Sequence, residues 1–176
     1  MFGFRLASFS VVLLLISGLT LPSLANERIY FNSIQGKWSG PGNIVAGKYK
    51  GTRFTCNFTG KKPKTVTGMK IDGSCRVGVF SQPMSFEIIK NGRSYRGKFL
   101  DGAKGKGLDI VSGKLRGNKL VVGINRKKLN GAMVAKLNGK NQMNITISVR
   151  VAKQLIPVIG LTLNRKAGIV KTSVSE

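Results

Sequence analysis

At 176 residues the chain is long enough for one domain with a full hydrophobic core and short for two. Thirty lysines and arginines against six acids give a formal charge of +24, so its surface attracts polyanions and repels cations, while the absence of any histidine removes the commonest general base and metal ligand. Cys56 and Cys75 are the only cysteines, which leaves one intramolecular pairing and argues against a zinc site.

The first 25 residues read as a secretory signal. Met1–Arg5 is a short basic segment, Leu6–Leu21 is apolar, Pro22 ends any helix, and Ser23-Leu24-Ala25 sets small residues where a signal peptidase cuts. Cleavage is expected after Ala25. The apolar run falls short of the roughly 20 residues that span a bilayer, so no transmembrane segment is expected in the mature chain. No cysteine lies near the cut, which disfavours a lipid anchor. Export to the periplasm or beyond makes a Cys56–Cys75 disulfide the expectation, worth roughly 3 kcal/mol for a loop of about 20 residues.

Beyond the signal the pattern is that of strands. Met143, Ile145, Ile147, Val149 and Val151 alternate with polar residues, as do Phe54, Cys56 and Phe58, then Tyr95, Gly97 and Phe99. Leu120, Val122 and Ile124 continue the period of two, and so do Met133, Ala135 and Leu137. Asn91-Gly92, Gly117-Asn118 and Asn138-Gly139 separate such runs with residues that tolerate positive φ, as tight hairpins require. The spacing predicts strands at 36–46, 51–59, 68–79, 84–90, 93–101, 109–116, 119–125, 131–138 and 142–151, and allows a short tenth at 158–164. No window after the signal shows helical spacing. The expected fold is all-β: a single antiparallel up-and-down meander of about 8–10 strands over residues 26–151, closed as a barrel to remove its edges. Residues 152–176 are expected to be a C-terminal extension with at most one further strand. Gly97, Gly113 and Gly123 fit places where the wall bends or a neighbour comes close.

Gly36-Lys37-Trp38 opens the first strand with the only tryptophan, and it resembles the start of lipocalin and calycin barrels, whose indole plugs the closed end. Trp38-Ser39-Gly40-Pro41-Gly42, Cys56, Cys75 and the glycine-punctuated hairpins are similar to small exported barrel proteins of alphaproteobacteria, mostly of uncharacterised function. The resemblance covers roughly residues 34–151 and implies a lipocalin-like barrel with Trp38 in a structural role. It also implies an arginine from the last strand across the tryptophan. Arg150 is the natural candidate, although the alternation puts it on the polar face, and Arg165 is the other.

Nothing in the chain composes a catalytic, metal or cofactor site, and none is expected. The cysteines are expected to be oxidised, and Asp101 and Asp109 flank a glycine-rich loop that positions carboxylates poorly. Lys61, Lys62 and Lys64, together with Arg126, Lys127 and Lys128, are expected to form one anion-binding rim at the same end of the barrel. Phe54, Phe58, Phe86, Ile88, Tyr95 and Phe99 are the candidate lumen lining. An amphiphilic small molecule, an anionic lipid or lipopolysaccharide, or an acidic protein is the expected partner. Nucleic acid is disfavoured by export and by the lack of an exposed stacking platform. The expected function is that of a periplasmic or secreted, non-catalytic binding protein; the alternative is an interaction protein such as a protease inhibitor or secreted effector. A continuous cavity above about 300 Å³ would favour a lumen ligand.

Overall fold

The computed structural model of the chain describes residues 23–63, 67–100 and 107–167. Helix α1 (Ser23–Ile34) precedes ten strands: β1 (Gly36–Ile44), β2 (Arg53–Lys61), β3 (Gly68–Val77), β4 (Phe80–Asn91), β5 (Ser94–Leu100), β6 (Leu108–Arg116), β7 (Lys119–Arg126), β8 (Leu129–Asn138), β9 (Gln142–Val151) and β10 (Gln154–Arg165). Each strand pairs antiparallel with the next, and β10 pairs with β1, so the sheet closes into a barrel. The up-and-down meander is as expected. Closure leaves no edge, and alternation along each strand sends one set of side chains into the lumen.

Two sequence expectations need correction. Residues 152–165 are no extension: β10 lies between β9 and β1, with Trp38 opposite Arg165 and Ile44 opposite Ile159. The β9–β10 turn escaped notice because it contains no glycine; Ala152 adopts φ 53° instead. The second correction is α1, which spans the expected cleavage point after Ala25. Its buried residues are Glu27, Tyr30, Phe31 and Ile34, at i, i+3, i+4 and i+7. That is helical spacing, hidden because its first member is a carboxylate and because Ile29 points outward. Residues 1–22, with most of the expected signal, lie outside the described residues.

The helix lies across one end of the barrel and touches strands all round it. Tyr30 Oη donates to the Ala135 carbonyl on β8 at 3.0 Å. The Phe31 ring meets Tyr95 on β5 edge to face, and Glu27 is paired with Lys90 at the end of β4. Gly60 on β2 lies so close beneath the helix that a Cβ there would sit 2.2 Å from the Ile34 carbonyl oxygen. The helix ends at Gly36, whose φ of 106° a side chain would strain. Three carbonyls of its last turn and exit then find donors. Trp38 Nε1 donates to Ile34 at 2.8 Å, and the Arg165 guanidinium donates to Ser33 and Gln35 while lying 4.2 Å from the Trp38 ring. Of the two candidate arginines it is therefore Arg165 that crosses the tryptophan. Arg150 sits opposite Leu155 in the β9–β10 hairpin.

Cys56 and Cys75 are direct cross-strand partners on β2 and β3 and form a disulfide. Gly97 is required by close approach, because a Cβ there would stand 1.9 Å from the Glu87 carbonyl oxygen. No helix among the described residues is long and apolar enough to cross a membrane.

Candidate functional site

Side chains from α1 and the inward residues beneath it fill the helix end of the barrel. Ile88, Tyr95, Leu120 and Val122 are buried there. Burial pushes the Tyr30 phenol well above its ordinary range, and burial followed by the Glu27 carboxylate does the same for Tyr95. Tyr95 Oη has no hydrogen-bond partner among the described residues.

The filling stops midway. Above the layer of Met69, Ala135, Met143 and Leu163 lies a cavity of about 220 Å³ that opens at the end away from α1. Its walls come from β1–β5 and β8–β10, and its mouth from residues such as Ile44, Val77 and Ile147. Among the described residues that line it, Gln82 and Ser85 are the polar side chains and none is charged. The volume stays below the mark of about 300 Å³ at which ordinary small-molecule pockets begin. It matches a slender apolar chain better than a bulky ligand.

Of the six candidate lumen residues, Phe54, Phe58, Phe86 and Phe99 line this cavity. Ile88 and Tyr95 point inward on the same strands but lie lower, against the plug. Alternation shows which way a side chain points but not its height along the barrel. It also gives no hint that β9 and β10 contribute Ile145, Ile147, Ile159 and Leu161. The disulfide is part of the wall, since Cys75 lines the cavity.

The expected single rim divides in two. Even-numbered strands all run toward the helix end, so the β2–β3 connection with Lys61 and Lys62 lies there; β7 runs the other way and delivers Arg126, Lys127 and Lys128 to the open end. Lys64 lies outside the described residues. The clusters are a barrel length apart because an odd number of strands separates their connections. Arg126 is engaged locally, donating from Nε to the Gly107 carbonyl at 2.8 Å. Among the described acids, Asp72 and Glu87 face Lys70 on the outer wall at 3.9 and 4.0 Å, and Asp109 stands opposite Lys98.

No protein-family model and no curated protein sequence matches the chain. Solved structures share its fold at low sequence identity. The crystal structure of Rv2717c from M. tuberculosis aligns with a TM-score of 0.58 at 10% identity, covering 80% of this chain and 98% of that one. A protein of unknown function from the DUF3598 family of Nostoc punctiforme gives 0.50 at 11%, covering 77% of this chain and 49% of that one. Fatty-acid-binding protein 1 of Echinococcus granulosus gives 0.52 at 13%, covering 77% and 99%. The architecture is thus a closed ten-stranded antiparallel barrel, a fold the chain shares with these structures.

Proposed function

We propose that the protein is an exported, non-catalytic binding protein that takes the apolar part of an amphiphilic molecule into the open half of its barrel. The observation that carries this reading is an apolar lumen whose described lining holds no charge. A charged headgroup has no counter-ion inside, so it would stay at the mouth, where Lys127, Lys128 and Lys153 suit an anion. The fatty-acid-binding neighbour is a precedent for the fold only. Export is supported by the signal-like residues 1–25 and by the disulfide. The non-catalytic reading rests on the absence of histidine and on two cysteines tied to each other.

The test is binding of a fluorescent acyl-chain probe to the exported protein, after N-terminal sequencing that should begin at Asn26. Ile147→Trp places an indole just inside the mouth, where the cavity has little room to spare, and should weaken probe binding at least about tenfold without unfolding the barrel. Equal affinity in both proteins would remove the lumen from consideration.

A further inference from the structure

Cations occur at both ends of the barrel, but the exposed apolar side chains of the turns gather at one; at the plugged end Ile29 of α1 is exposed, yet no described turn there carries one. At the β3–β4 turn Val79 is 89% and Phe80 79% exposed. Tyr49, in the β1–β2 connection, is 64% exposed, and Val151, at the β9–β10 turn, is 58% exposed. All three connections are at the open end. Each sets cations beside its apolar residues: Lys48 and Lys50 flank Tyr49, Arg76 precedes Val77, and Arg150 and Lys153 bracket Val151. A fourth turn, Arg126–Leu129, repeats the pattern with Lys127 and Lys128 before an exposed Leu129. None of the four contains an acid. At the plugged end, the turns between β4 and β5, β6 and β7, and β8 and β9 carry Arg93, Arg116, Lys119 and Lys140 with no large apolar residue.

One of the open-end hairpins stands beyond its neighbour. β10 pairs with β1 only from Ile159, so the tip of the β9–β10 hairpin extends past β1. Pro157 falls in this stretch, where the missing N–H is harmless. The four described tips at this end thus carry apolar and cationic residues side by side around the mouth of the lumen.

We propose that this open end docks on an anionic lipid bilayer, with Val79 and Phe80 entering the headgroup layer and the neighbouring lysines meeting lipid phosphates. A bilayer offers both complements at once over the breadth of this end, phosphate charge above hydrocarbon. An acidic protein would match the cations but leave the exposed apolar tips unanswered. The docking goes beyond the lumen reading and does not depend on it.

Flotation with vesicles of phosphatidylcholine, alone or with about one third phosphatidylglycerol, tests it. The soluble protein should adsorb to the anionic vesicles only and be released at roughly 0.5 M salt, where screening shrinks to a few Å. The combined change of Lys48→Gln, Lys50→Gln, Lys128→Gln and Lys153→Gln should weaken adsorption at least about a hundredfold, since each cation near such a surface contributes roughly fivefold. Val79→Ser with Phe80→Ser should weaken it about tenfold. Lys61→Gln, Lys62→Gln, Lys119→Gln and Lys140→Gln together, at the other end, should weaken it less than about threefold. Three results overturn the proposal: no adsorption by the unaltered protein, equal losses from the two lysine sets, or no loss from the Val79 and Phe80 changes. Acyl-probe binding without vesicles should be unchanged in the Val79 and Phe80 variant and in the Lys61, Lys62, Lys119 and Lys140 variant, neither of which touches the lumen or its mouth lysines, so the docking and the lumen readings fail separately.

Discussion

Arg165→Ala should loosen the junction of helix and barrel. The guanidinium donates to the carbonyls of Ser33, Gln35 and Lys140 and lies over the Trp38 ring. A charge-assisted hydrogen bond contributes roughly 1.5–3 kcal/mol and a cation over an aromatic face about 0.5–2 kcal/mol. Only the Ser33 bond is partly buried; the other two are exposed, so water replaces them on truncation and they count for little. The expected loss is therefore about 2–4 kcal/mol, most of it from Ser33 and the ring contact. Trp38 is the sole tryptophan and is buried, so its fluorescence during urea unfolding reports on this place. The midpoint should fall with the denaturant slope unchanged. Arg165→Lys keeps the charge but not the planar fork and should restore less than half the loss. A loss below about 0.5 kcal/mol in Arg165→Ala, or full recovery with lysine, would refute the clamp.

Removing the disulfide by Cys56→Ala with Cys75→Ala should lower stability by roughly 2–4 kcal/mol in the same assay, and the unreduced protein should show no titratable thiol. Reactive thiols before reduction would exclude the bridge. Stability should also decline in alkali: burial holds the Tyr30 and Tyr95 phenols above their ordinary value of about 10. The unfolded chain therefore gives up these protons first, and the folded state is increasingly disfavoured as pH rises beyond about 10, with no contribution from these groups below it. Tyr30→Phe should flatten that decline; an unchanged slope would show that the phenol ionises alike in both states.

The barrel was largely legible because it rests on a two-residue period, which survives without knowledge of any partner strand. Asn91-Gly92, Gly117-Asn118 and Asn138-Gly139 announced three hairpins, and Gly92, Gly117 and Gly139 do take positive φ. The turns at Lys127 and Ala152 use the same conformation without its usual residues, and with the second of them the hairpin to the last strand went unseen, so the strand allowed at 158–164 was read too short and outside the barrel. The plug was missed for a related reason: Glu27 stands on its buried stripe and is made tolerable by Lys90, which lies 63 residues away and carries no local sign of the pairing. The lumen was half legible. Which phenylalanines face inward follows from parity, but whether they meet empty space or Phe31 depends on how far the helix reaches. The single cationic rim failed on parity too, since counting strands between two connections tells which end each occupies.

The contact between β1 and β10 also bears on the order of assembly. Arg165 meets Ser33 across 132 residues of chain, so the helix cannot be fastened nor the barrel closed until the last strand has been made. Closing so long a loop before any of its contacts form is slow, and topologies dominated by distant pairings fold late as a rule. Until then the β3–β4 and β8–β9 hairpins can form locally, but the chain as a whole stays open and threadable. Were the chain exported in extended form, as proposed above, a fold that cannot complete itself until its final strand emerges would have the right kinetics built in.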